Sequence, residues 1–209
     1  MPSSGICLVN NKWIKIVICF LWMGGVAYGM QQILNYENTS SPSAPISIQW
    51  PAEVPKISTD GAMLIVFMHP QCPCTKATVD ELAWLMTHCH GKLSATVFSL
   101  NPSVSPEKWG PNNLRIAVEK IPDVHYLEDP DGETARRFGV TTSGQCLLYD
   151  KIGSLLFEGG ITGSRGHSGD NPGRRAIVNL VFQGKSQTHK TAVFGCGLFN
   201  PSTVSDKYE

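Results

Sequence analysis

The apolar and polar positions divide this chain into an apolar run near the N-terminus, a polar stretch without period, and a patterned body. Counted from Trp13, the run to Met30 is just long enough to cross a bilayer, which takes about 20 residues. Lys12 and Lys15 sit at its start, and Trp13 and Tyr28 suit the two interfaces. Residues 38–45 (Asn-Thr-Ser-Ser-Pro-Ser-Ala-Pro) have loop composition. The body opens with residues 63–68, apolar throughout, as a strand covered on both faces is. Residues 75–90 read as a helix stopped by Gly91, and 94–100 as a second strand. Residues 112–120 predict a short helix, 124–127 a short strand, and Asp129-Pro130-Asp131-Gly132 a turn. Residues 133–138 form a helical turn stopped by Gly139. Strands at 145–149 and 154–158 are joined by Asp150-Lys151-Ile152-Gly153 as a hairpin. A glycine-rich loop spans 159–173. The last helix, 174–182, has Asn171 as its cap and Pro172 at its first position. Alternating strands and helices that close on a hairpin and a helix predict an α/β fold, a central mixed sheet flanked by helices.

The expected division is a short cytoplasmic N-terminus (1–12), a membrane anchor (13–30), a linker (31–56), a folded domain (57–184) and a C-terminal tail (185–209). The lysines ahead of the run place the N-terminus inside and the domain outside the cytoplasm, on the periplasmic side. A cleaved signal peptide with a secreted product is the alternative. Its small-x-small cleavage pattern is poor, because Tyr28 stands between Ala27 and Gly29.

Seventeen Lys and Arg balance seventeen Asp and Glu, for a formal net charge of zero. The cations are scattered, with no basic stripe, so no nucleic-acid partner is expected. The chemistry concentrates in His69-Pro70-Gln71-Cys72-Pro73-Cys74-Thr75, where a buried strand runs into a helix. Free N–H groups and the helix dipole stabilise an anion at such a junction, so a thiolate there has a lowered pKa. Two cysteines two apart at a strand–helix junction are seldom filler, and Cys72 is expected to be the more exposed nucleophile with Cys74 as its partner. His69 either polarises a thiolate, binds metal or caps the turn. Cys89 and Cys146 read as core residues, and Cys7 and Cys19 as idle. His125 reads as structural. His167 lies in a polar loop whose Arg165 either holds an anion or solvates the loop. Cys196, in the apolar stretch 192–199, is either packing or a third thiol. Gly195 and Gly197 would let that stretch approach the Cys72–Cys74 junction closely, where Cys196 would serve as a resolving thiol or a third metal ligand.

These residues resemble the thioredoxin-like superfamily over residues 57–184. In an ungapped alignment Pro73 and Cys74 match the proline and second cysteine of the family's Cys-Gly-Pro-Cys. Cys72 then replaces the glycine and Gln71 the first cysteine. The run from Asp129 through Phe138-Gly139-Val140 resembles thioredoxin-like and peroxiredoxin-like domains. Together with Thr142-Ser143-Gly144 and Gly159-Gly160-Ile161-Thr162, the ensemble resembles a membrane-anchored group labelled RedB, which carries Cys-Pro-Cys. The family's cis-proline is missing; Ser143 and Gly144 stand near its place, and substrate docking and metal exclusion both depend on that loop.

The cysteine pair and its placement point to a membrane-tethered thiol–disulfide oxidoreductase that acts on a protein thiol or disulfide without a cofactor. An alternative is a copper-binding protein of the same fold, with Cys72, Cys74, His69 and Cys196 as donors, since thiolates suit a cuprous ion. A thiol peroxidase is a third reading. It wants a Thr-x-x-Cys, and His69 or Gln71 stands where the threonine belongs.

Overall fold

The computed structural model describes residues 12–42, 44–55, 61–103 and 113–199. Cys7, Asn112 and the last ten positions lie outside the described residues. The chain divides into two units, Met1–Glu37 and Asn38–Glu209.

The described residues of the first unit lie in one helix, α1 (Lys12–Asn38, 27 residues). It runs past the apolar stretch into residues expected to be linker. Nothing from Gln31 to Glu37 breaks a helix, and Gln31 Nε2 donates to Asn35 Oδ1 one turn on at 2.9 Å. Ser-Ser-Pro at 40–42 lies beyond its end. α1 is long and apolar enough to cross a membrane or to serve as a signal sequence.

The second unit is built on five strands, β1 (Ala62–Met68), β2 (Leu93–Asn101), β3 (Val124–Pro130), β4 (Gln145–Tyr149) and β5 (Leu155–Gly160), in the order β3-β2-β1-β4-β5. β1, β2 and β3 are parallel; β4 and β5 are antiparallel. The helices are α2 (Thr75–His88), α3 (Asn113–Glu119), α4 (Glu133–Phe138) and α5 (Pro172–Gln183). The fold is thioredoxin-like: a mixed sheet flanked by helices, with the helix after the central strand starting at the cysteine pair.

Strand alternation sorts the core into two layers. Leu64, Val66 and Met68 of β1 join Cys146 and Leu148 of β4 beneath α2 and α5, which contribute Leu82, Leu85 and Ile177. Met63, Ile65 and Phe67 join Leu147 and Tyr149 on the other face, against Phe138 of α4. Cys89 and Cys146 are fully buried among these apolar groups, and burial raises both thiols.

β3 runs three residues beyond its predicted end, through Pro130. It is the edge of the sheet, where a proline's missing N–H costs no ladder bond. β5 likewise extends into the glycines, to Gly160.

Residues 38–55, expected as linker, form a strap packed on the domain. Ser47 N donates to Phe138 O at 3.1 Å and Trp50 N to Gly153 O at 2.9 Å. The Trp50 ring meets Phe138 and Tyr149 edge-on at 5.1 and 5.4 Å, and Val54 is buried. The tail forms a second strap. Thr191 N donates to Glu158 O at 3.1 Å and Gly160 N to Ala192 O at 3.2 Å. These bonds carry the tail along β5 and on towards the end of β1.

Candidate redox site

β1 delivers the chain to His69, and the turn that follows is closed by backbone bonds: Cys72 N donates to His69 O at 3.0 Å and Thr75 N to Cys72 O at 3.1 Å. Cys74 then stands as the N-cap of α2 with helical dihedrals and no side-chain cap bond. Facing this turn is the segment before β4. Ser143 Oγ accepts from His69 N at 2.9 Å and lies 3.0 Å from Thr75 Oγ1. Gly144 N donates to Phe67 O at 2.7 Å. Gly144 holds φ at +84°, a left-handed conformation that glycine adopts freely. Ser143 and Gly144 thus brace the cysteine turn from the position where the resemblance expects a proline.

The tail closes the site from the other side. Ser143 N donates to Cys196 O and Leu198 N to Thr141 O, both at 2.8 Å, and Thr142 pairs with Gly197. This lays Cys196 against Cys72. Burial works to raise the Cys72 thiol. It is outweighed by hydrogen bonds to the thiolate from the Cys196 thiol and N–H, the Thr75 hydroxyl and the Cys74 N–H, so Cys72 lies below the ordinary thiol value. Cys74 is raised, by burial first and then by the neighbouring Cys72 charge. Cys196 is pushed up to about 12, by burial and then by the bond it gives to Cys72. The arrangement is one favoured thiolate with a protonated thiol on each side.

Cys72 is not the more exposed of the pair. It is 5 % exposed and Cys74 8 %, because the tail covers it. What favours its thiolate is hydrogen bonding instead. It still lines a groove of about 440 Å³ between α2 and α3, with Pro70, Gln71, Pro73, Leu114 and Ala117. Pro73 is exposed at the rim.

Arg165 is the cation of the site. It hydrogen-bonds Cys74 and opposes the rise of that thiol. Its Nη1 donates to Gly195 O at 2.7 Å, an oxygen that also accepts from Ser41 Oγ at 2.8 Å. The group that the loop's arginine meets is therefore the Cys74 sulfur. His167 is exposed, and its Nδ1 lies 2.8 Å from Arg165 O, which braces the loop from outside. His69 is held neutral: burial lowers its pKa, and Nδ1 accepts from Gln71 N at 3.2 Å. Among the described residues, no group of three or more His, Cys, Asp and Glu is placed to hold a metal ion.

Thr75 and Glu81 are functional positions that a reading of the sequence passes over. Glu81 is buried two turns beyond Cys74 and accepts from Gly169 N, from Asn171 Nδ2 at 3.4 Å and from Arg174 Nη1 at 3.1 Å. Asn171 in turn caps α5 by accepting from Arg174 N at 2.9 Å. Glu81 so anchors the loop that carries Arg165. The signal for it was an acid at an apolar phase of α2.

The tail's approach depends on Gly195, where an added Cβ would lie 1.8 Å from Ser143 O. Gly195→Ala is expected to push the tail off and remove the Cys196 bonds from Cys72. The pH midpoint of Cys72 alkylation should rise by about one unit or more, since two charge-assisted bonds are lost and each is worth roughly one unit. An unchanged midpoint would mean that the tail does not tune the thiolate.

No protein-family model and no curated protein matches this chain. Solved structures do. An uncharacterized conserved protein from Geobacillus kaustophilus is 18 % identical, covering 78 % of this chain and 94 % of its own, with a TM-score of 0.56. The hypothetical protein SMc02350 from Sinorhizobium meliloti 1021 is 21 % identical, covering 77 % and 93 %, with a TM-score of 0.54. A thioredoxin-like protein from Aeropyrum pernix is 16 % identical, covering 77 % and 99 %, with a TM-score of 0.45. At these identities the likeness is one of fold.

Proposed function

We propose that this protein is a membrane-tethered thiol–disulfide oxidoreductase. Cys72 is its nucleophile, Cys74 is its partner thiol, and a protein disulfide docked in the groove beside Cys72 is its substrate. The observation that carries the reading is geometric: the turn after β1 sets Cys72 and Cys74 at the start of α2, with Cys196 and Thr75 hydrogen-bonded to Cys72, an arrangement that favours a thiolate on Cys72 over Cys74. A dithiol oxidoreductase needs one thiolate to attack and one thiol held in reserve. The grouping with the RedB-like proteins belongs to the same proposal and rests on Cys-Pro-Cys. A copper-binding role draws less support. Among the described residues, no group of three or more His, Cys, Asp and Glu is placed to hold a metal ion.

The test is to assay the purified full chain in detergent for reduction of a model protein disulfide by a small dithiol, and in parallel to titrate it with cuprous ion. Turnover without stoichiometric copper supports the oxidoreductase. One tightly held copper with no turnover overturns it.

The tether is α1, with the domain outside the cytoplasm. The full-length protein is expected in the pellet after carbonate extraction of membranes. A soluble mature form beginning after Met30 would contradict the anchor and leave export standing.

A further inference from the structure

Two straps and a loop converge to hold a third thiol at the redox pair. Ser143 N holds Cys196 O and Thr141 O holds Leu198 N, while Arg165 and Ser41 clasp Gly195 O on the other side of Cys196. None of these bonds requires a cysteine at position 196, yet together they set its sulfur against Cys72. We propose that Cys72 exchanges its disulfide partner inside the protein, from Cys74 to Cys196. The resting oxidised form then carries a Cys72–Cys196 bond that ties the C-terminal strap to the site. This rests on the oxidoreductase reading and adds to it the disulfide in which the oxidised protein comes to rest.

The two partners close different rings. Cys72–Cys74 spans a single proline, and a strained disulfide of that kind is readily broken by exchange. Cys72–Cys196 joins segments far apart in the chain that the fold already holds in contact, so it carries no small-ring constraint and closes a long loop of the unfolded chain.

The chemistry balances without an added oxidant. Cys72 thiolate attacks the substrate disulfide and one substrate thiolate leaves. Cys74, losing its proton, attacks Cys72 Sγ, and the second substrate thiolate leaves with that proton. The substrate is reduced and Cys72–Cys74 is formed. Cys196, losing its proton, then attacks Cys72 Sγ. The Cys72–Cys74 bond breaks, Cys72–Cys196 forms, and Cys74 departs as a thiolate beside the Arg165 guanidinium before taking up the proton. No electrons enter or leave in this second step. Cys196 is held up in the reduced protein partly by the charge on Cys72. That charge disappears once Cys72 is in a disulfide, so Cys196 becomes easier to ionise when its attack is due.

Disulfide mapping on the full chain in detergent tests the exchange. Reduced protein is mixed with one equivalent of oxidised glutathione, quenched in acid at intervals, alkylated, digested and read by mass spectrometry. Cys72–Cys74 is expected in the earliest samples and Cys72–Cys196 at rest. Cys196→Ser should stop at Cys72–Cys74. Arg165→Met should slow the replacement about tenfold, the loss expected for one charge-assisted bond to the leaving thiolate. A resting wild-type protein with Cys72–Cys74 and alkylated Cys196 overturns the exchange and leaves the oxidoreductase reading intact. Cys72 found unpaired throughout overturns both.

Discussion

Cys72→Ser is expected to reduce disulfide reductase activity to background, a loss of about a thousandfold or more, because a serine hydroxyl cannot replace a thiolate in exchange. The variant should remain folded. Cys72 contributes its backbone to the turn, through its N–H to His69 O and its carbonyl to Thr75 N, and serine keeps both. Within the folded domain, the alkylation that starts at the lowest pH in the wild-type protein should vanish with the activity. The other thiols described there offer less thiolate: Cys74 and Cys196 are raised by burial, and Cys89 and Cys146 lie in the core. Retained activity with rapid alkylation at Cys74 would transfer the nucleophile's role to Cys74, as the ungapped thioredoxin alignment has it.

The second large effect is structural and lies out of sight of the sulfurs. Glu81→Ala is expected to cost about 3–5 kcal/mol, the range for breaking a buried ion pair from one side. In a domain of this size that is a fall in Tm on the order of 10 °C. Arg174, stacked over the Trp84 ring at 4.1 Å, would keep a mostly buried charge paired only with the exposed Asp170 at 3.4 Å. The Gly169 N–H would lose its acceptor. The loop from 163 to 171 is pinned at its far end by these bonds, so Arg165 should drift and Cys74 should rise further. A Tm within a degree or two of wild type would show that Asn171 and the α5 cap hold the loop alone.

Much of the sheet was legible because its signals are local. β1 is an unbroken apolar run and β4 matches its predicted bounds. The Asn171-Pro172 start of α5 is a cap that any reader of helix termini would mark. The straps were opaque for the converse reason. Residues 38–55 show no period because each bonds a different distant partner: Ser47 to Phe138, Trp50 to Gly153. A composition of Ser and Pro looks the same whether the backbone is solvated or paired. The edge strand β3 was read short because Asp129 and Pro130 carry turn chemistry, and at an edge they can also end a strand. At the site, the cysteine pair was plain from its place at a strand–helix junction. The relative exposure of Cys72 was not, since the cover comes from a tail over a hundred residues away. Arg165 was visible only as a cation in a polar loop. Its pairing with Cys74 needs Glu81 and Gly195, which no spacing rule connects.

The most direct measurement is the pH dependence of alkylation, resolved cysteine by cysteine in the reduced full chain. Cys72 should titrate below the ordinary thiol value of 9.0, with Cys74 above it and Cys196 near 12. Since the thiolate is the reactive form, Cys72 reactivity should extend to lower pH than that of Cys74 or Cys196 and fall as pH drops through its lowered pKa. A profile in which Cys74 titrates lowest, or in which all three thiols share one ordinary midpoint, would contradict a site built around a Cys72 thiolate.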